Sequence, residues 1–257
     1  MELIIYLLIV SLGFVFGSFM SVLVFRLNIK DGIISGRSEC PKCNTRLKWY
    51  DLIPLFSFMF TGGKCRYCKI KISPIYPIME LAVAGSFLAY YIFSVSYLNI
   101  GSIYELAIIF ILLCLIFFDY IYYILPDKVI FTGLAISVGY KVIFDAPSLI
   151  NSSISGLALA LFFAILYVVS RGQWLGFGDV KLALLIGFIL GYPIGILSII
   201  IAVWAGAIWG MGMIVFKRAN LKTALPFGVF MGLAAILSII FKEFISQSSL
   251  SVIFFIL

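Results

Sequence analysis

Trp174-Leu175-Gly176-Phe177-Gly178-Asp179-Val180-Lys181 stands between two apolar runs, 153–170 and 180–198. Each run is long enough to cross the hydrocarbon core of a bilayer as a helix. The short stretch between them therefore reads as a loop at a membrane face, with Asp179 at the start of the second span. The rest of the chain repeats this pattern. Further apolar runs cover 3–25, 77–97, 103–119, 128–144, 199–216 and 225–241. The expected fold is an all-α polytopic membrane protein with about eight transmembrane helices. Gly191, Pro193 and Gly195 lie near the join of the sixth and seventh runs, where they mark either a turn or a kink.

The composition points the same way. Of 257 residues, 64% are hydrophobic and 11% charged, whereas a soluble domain carries about 25% charged residues. The first run is too long for a signal-peptide core and has no small-residue cleavage site, so it reads as a retained span. A net charge of +7 is assigned to membrane orientation, with no nucleic acid as partner. If the loop after the first run is cytoplasmic, so are those after the third, fifth and seventh. These loops and their flanks hold Arg26, Lys30, Arg37, Lys42, Arg46, Lys48, Lys64, Arg66, Lys69, Lys71, Lys128, Arg171, Lys181, Lys217, Arg218 and Lys222, sixteen of the eighteen basic residues. Only Lys141 and Lys242 fall outside. Both termini are expected outside the cell and the basic loops inside.

Four segments follow: a first transmembrane helix at 1–25, a cytoplasmic insert at 26–76, a transmembrane core at 77–241 and a tail at 242–257. The apolar end of the tail, Val252 to Leu257, is too short to span and is expected at the interface. The insert carries two Cys-x-x-Cys pairs, Cys40/Cys43 and Cys65/Cys68. Two such knuckles at this spacing supply the four thiolates of a tetrahedral zinc site. Two disulfides are the alternative, which the reducing cytosol disfavours. A closed four-sulfur site is structural, and a loop of this size has little core of its own without such a clip. Cys114, inside an apolar run, reads as a packing residue. The chain has no histidine, which excludes a Ser-His-Asp or Cys-His protease and any histidine-ligated metal.

Two acids share a membrane face. Asp119 closes the third run, and Asp179 opens the sixth. An acid at the edge of a span is costly and so marks a functional site by default. The bland alternatives are a helix-end acid among headgroups for Asp119 and a helix N-cap for Asp179. Pro126 bends the chain away from helix just after Asp119, and Asp127 is placed to cap the next helix. Two carboxyls sharing one proton supply both water activation and carbonyl protonation. Helix polarity assigns Asp179, at a helix start, as the ionised partner and Asp119, at a helix end, as the proton donor. Gly176 and Gly178 let the backbone bend or approach another chain closely, and Lys181 lies two residues beyond the acid.

At this point the chain resembles the type IV prepilin peptidases, membrane aspartyl proteases of the Gly-x-Gly-Asp kind. The resemblance covers most of the chain. It runs through Gly17-Ser18-Phe19, followed here by Met20-Ser21 where the family usually has Leu-Asn. It continues through the two knuckles, through Trp49-Tyr50-Asp51-Leu52-Ile53-Pro54-Leu55, and through Ile72-Ser73-Pro74-Ile75-Tyr76-Pro77-Ile78-Met79-Glu80. Asp119 with Leu125-Pro126-Asp127 and Gly176-Phe177-Gly178-Asp179-Val180-Lys181 match its two catalytic motifs, and Leu225-Pro226-Phe227-Gly228 resembles its closing one. The resemblance implies an enzyme of the bacterial inner membrane that cleaves the basic leader from prepilins or pseudopilins at the cytoplasmic face. It also implies N-methylation of the new terminus with S-adenosylmethionine. Glu80 matches a family glutamate associated with methylation; as a residue it also reads as an ordinary helix-start acid. A proton-coupled transporter, a zinc-knuckle scaffold and a peptidase without methylation are the rival readings.

Overall fold

The computed structural model describes residues 2–27, 38–40, 42–94, 98–216, 225–242 and 244. Lys30, Arg37, Lys217, Arg218, Lys222 and the segment Val252 to Leu257 lie outside them. Among the described residues the regular structure is α-helical, with a 3-10 turn at Trp49–Asp51, a second at Ala146–Ser148 and two isolated β-bridges. Each of the eight apolar runs becomes a helix. They are α1 (Glu2–Arg26), α3 (Ile75–Ser94), α4 (Ile100–Tyr122), α5 (Asp127–Phe144), α6 (Leu149–Val169), α7 (Phe177–Leu190), α8 (Ile194–Val215) and α9 (Phe227–Ile240), with a short α2 (Phe56–Phe60) in the insert.

Five of them, α1, α3, α4, α6 and α8, are long and apolar enough to cross a membrane. The other three fall short by length or charge. Helices α7 and α9 have 14 residues each, about 21 Å at the α-helical rise against a hydrocarbon core of about 30 Å. Helix α5 contains Asp127, Lys128 and Lys141. The expected join at residues 198/199 moves to Gly191–Pro193. Gly191 ends α7 with φ 68°, a conformation that favours glycine. The Asn151 side chain clamps the break, donating to the Tyr192 carbonyl at 3.0 Å and accepting from its N–H at 3.1 Å.

The chain divides into two compact units, Met1–Ile92 and Phe93–Leu257. In the first, α1 and α3 run antiparallel, with Tyr6 against Tyr91, Phe16 against Phe87 and Phe25 against Tyr76. Glycines at Gly13 and Gly17, one turn apart, let the backbones touch. A β-carbon at either would stand 2.5 Å from the Cα of Ala84 or Glu80, the close approach that small residues permit in membrane helices. In the second unit, α4 packs on α5 and α9, while α7 packs on α5, α6, α8 and α9. The core is built from Ile108, Leu112, Leu115 and Phe118 of α4 and Leu182, Leu185 and Ile186 of α7. Gly232 lets α9 close onto α4, where a β-carbon would meet Ile116 at 2.5 Å.

Candidate functional site

Each unit holds one cluster of chemically capable groups. In the second unit the helix ends build it. Helix α4 terminates at Tyr123, which takes the left-handed conformation. Asp119 thus sits one turn inside the helix, and its side chain is buried (6% exposed). Its Oδ2 accepts the Val229 N–H at 3.0 Å and also a hydrogen bond from the Gly228 N–H. Both N–H groups belong to the first turn of α9, the natural seat of an anion, and Val229 shares its own with the Pro226 carbonyl at 3.3 Å. A β-carbon at Gly228 would stand 2.9 Å from Asp119 Oδ2, so glycine is what lets the carboxylate reach the helix start.

Asp179 occupies the third position of α7 and is equally buried (8% exposed). Its Oδ2 turns back to accept the Gly176 N–H at 3.0 Å, the acidic half of a capping box. The two acidic motifs meet at Leu125, which lies against Gly178 on one side and, on the other, against Gly228 next to Asp119. Leu125 fills the space beside them. Its side chain lies 3.1 Å from where a β-carbon of Gly178 would be, and 3.3 Å from one at Gly228. The Gly-x-Gly-Asp and Leu-Pro-Asp stretches are thereby locked together.

Two expectations change. Asp119 was assigned the neutral role because it closes a helix, but its carboxylate faces the N-terminus of a different helix. Both acids therefore lie at helix starts, and polarity does not separate their roles. Asp127 does not cap α5; its Oδ1 pairs with Lys181 Nζ at 2.6 Å. Lys181, which also lies over the Phe177 ring, thus joins the starts of α5 and α7.

In the first unit the four knuckle cysteines converge. All are free thiols, and their sulfurs lie within 4.8 Å of one another. Cys40 Sγ and Cys68 Sγ are 3.8 Å apart. An ion held at the usual zinc–thiolate length sets its four sulfurs roughly 3.8 Å apart, so the donor set fits a tetrahedral, thiolate-bound metal. Each knuckle uses the same backbone. Cys40 O accepts the Asn44 N–H and Cys65 O the Lys69 N–H, both at 2.9 Å. Asn44 and Lys69 both have positive φ, and the bridges Glu39–Arg46 and Lys64–Lys71 close the two turns. Hydrogen bonding with Thr45 holds the Cys43 thiol down at about 6, towards the thiolate a metal requires.

Asp51 ties the second knuckle to the turn before α2. It pairs with Arg66 at 2.9 Å and accepts from Tyr67 Oη at 2.9 Å and Lys48 N at 3.2 Å. The hydrogen bond with Asp51 pushes the Tyr67 hydroxyl up to about 12. Glu80, buried on α3, accepts the Leu55 N–H at 2.7 Å and a hydrogen bond from Ser18. Leu55 holds φ 58°, a strained conformation for a leucine that turns its N–H onto Glu80. The Gly17-Ser18 pair has a joint purpose here: the glycine admits α3, and the serine bonds its glutamate.

Two family models match the chain. One, described as the bacterial peptidase A24 N-terminal domain, matches residues 11–94; the other, the type IV leader peptidase family, matches residues 106–211. A prepilin leader peptidase/N-methyltransferase of Vibrio cholerae is 33% identical over 73% of this chain and 78% of its own. The chain belongs to the type IV leader peptidase family. Proteins with the same printed name from Bacillus subtilis (29% identical, covering 90% of this chain and 92% of the relative) and Klebsiella pneumoniae (31%, 70% and 82%) are also similar. No solved structure matches. This leader-peptidase chain is a multi-pass membrane protein. Sequence reasoning missed the Gly228 and Val229 N–H groups, because nothing in the sequence pairs residues 119 and 229. The glycine after Pro226-Phe227 was the available signal.

Proposed function

We propose that this protein is an aspartyl endopeptidase that removes the leader from prepilins or pseudopilins and then methylates the new N-terminal amine. The observation that carries the cleavage half is the meeting of Asp119 and Asp179, each buried and each oriented by a helix-start N–H. One carboxyl takes a proton from water as the water oxygen bonds to the scissile carbonyl carbon. The other gives its proton to the carbonyl oxygen. Collapse of the tetrahedral intermediate then breaks the C–N bond, and the proton goes to the departing amine. Gly176 and Gly178 shape the start of α7, which carries Asp179, and Lys181 braces it through Asp127.

The methylation half rests on Glu80, on family membership and on the printed names of the relatives. S-adenosylmethionine supplies the methyl group when bound. Cys40, Cys43, Cys65 and Cys68 hold a structural zinc ion. The insert 26–76 serves methylation together with Glu80, at the start of the segment 77–241 that otherwise forms the peptidase core. The enzyme lies in the bacterial inner membrane with both activities at the cytoplasmic face, as the basic loops support, and membrane lipid surrounds it. Incubating the purified enzyme with a prepilin and weighing the product tests both halves. Loss of the leader mass followed by gain of one methyl is expected; an unchanged prepilin mass would refute the cleavage reading.

A further inference from the structure

Unit 1 contains a cavity of about 440 Å³, and every residue lining it lies between Ser18 and Glu80. We infer that this cavity, roofed by the metal knuckles and floored by Glu80, is where the methyl donor binds. The inference rests on the methylation reading above and names the site for it. The volume suits a ligand of a few hundred daltons. The wall carries both signs of charge: Glu39 and Glu80 together with Arg26, Lys64 and Lys71, and Asp51, which Arg66 already neutralises. Between them lie apolar and aromatic surfaces from Val22, Phe25, Phe58 and Tyr76. That mixture fits a zwitterion with an additional cationic centre and a flat heteroaromatic ring. An adenosyl sulfonium amino acid has all of these parts. Carboxylates answer the sulfonium and the ammonium, basic residues answer the carboxylate, and aromatic faces take the base.

The backbone around the floor is arranged to hold Glu80 in place. Leu55 accepts strain to donate to it, and Gly17 and Ser18 bring α1 against it. The roof has a consequence for the metal. Cys40 and Cys65, the first cysteine of each knuckle, line the cavity themselves. The ion that holds the knuckles together therefore also shapes the donor site, and loss of the metal empties it.

The test is equilibrium binding of S-adenosylhomocysteine to the full-length protein in detergent, with methyl transfer to a cleaved pilin read in the same samples. The cavity-filling Ser21→Phe and the charge-removing Glu80→Gln are each expected to weaken binding at least about ten-fold. Elemental analysis should show their metal content unchanged. Stripping the wild-type protein of metal with a chelator should abolish binding. If the wild type methylates but both variants bind the probe as tightly as it does, the donor sits elsewhere and the inference falls, while the methylation reading stands. If the wild type neither binds the probe nor transfers a methyl group, the methylation reading falls with it.

Discussion

At the scale of single residues, the account ranks glycines that the motifs alone treat alike. A β-carbon at Gly228 would sit 2.9 Å from Asp119 Oδ2, whereas one at Gly176 would meet Asp179 Oδ2 at an ordinary 3.7 Å. Gly228→Ala should therefore displace the carboxylate and lower leader cleavage by about 10²-fold, the usual penalty for a 1 Å misplacement. Gly176→Ala should stay within a few-fold of the wild type. Cleavage rates on one prepilin settle the ranking, and the reverse order would show that Asp119 does not work from this position. Lys181 is a milder case. Its partner Asp127 is 56% exposed on the side chain, and exposed pairs contribute at most about 1 kcal/mol. Lys181→Met should lower cleavage less than about ten-fold and leave folding intact. The acids themselves were legible in the sequence because a carboxylate at the end of an apolar run is conspicuous. Their hydrogen-bond donors were not, since a backbone N–H leaves no mark on residue identity.

At the scale of elements, two features make separate predictions. The knuckles repeat one another: the cysteines, backbone hydrogen bonds, bridge and left-handed residue of the first, from Glu39 to Arg46, recur 25 residues on, from Lys64 to Lys71. No repeat is visible in the letters apart from the cysteines, because hairpin geometry is set by backbone bonds and left-handed residues such as Asn44 and Lys69. Thiolates bind the metal, and protons compete for them. With the Cys43 thiol lowered to about 6, its thiolate persists above that pH and is lost as pH falls through it. Metal content by elemental analysis should therefore hold at neutral pH and fall on acidification. Metal retained undiminished in strong acid would contradict four-thiolate ligation. The second feature is the crossing of α1 and α3. Gly17→Ala would press a β-carbon to 2.5 Å from Glu80 Cα, forcing the helices apart. Methyl transfer should fall by about 10²-fold, with metal content kept. Wild-type methylation in that variant would detach Glu80 from the reaction.

At the scale of the whole molecule, hydropathy was enough to place eight helices, since apolar runs of this length have few other uses. It could not show that α7 and α9 stop at 14 residues. Their ends are set by Gly191 and Pro226, and an apolar residue in a short buried helix looks like one in a span. The join between α7 and α8 was likewise displaced, because Leu, Ile and Gly continue through it without a polar break. The grouping of α3 with α1 and the insert follows from the close contacts at Gly13 and Gly17 and from the Leu55 N–H on Glu80, none of which a linear reading brings together. The central claim is that Asp119 and Asp179 act as one catalytic pair. It is tested most directly by single-turnover cleavage of a prepilin with purified Asp119→Asn and Asp179→Asn enzymes, read by intact mass. Each amide keeps the shape but can neither take nor give the proton, so both variants should lose nearly all cleavage while retaining their metal. Substantial leader removal by either variant would contradict the account.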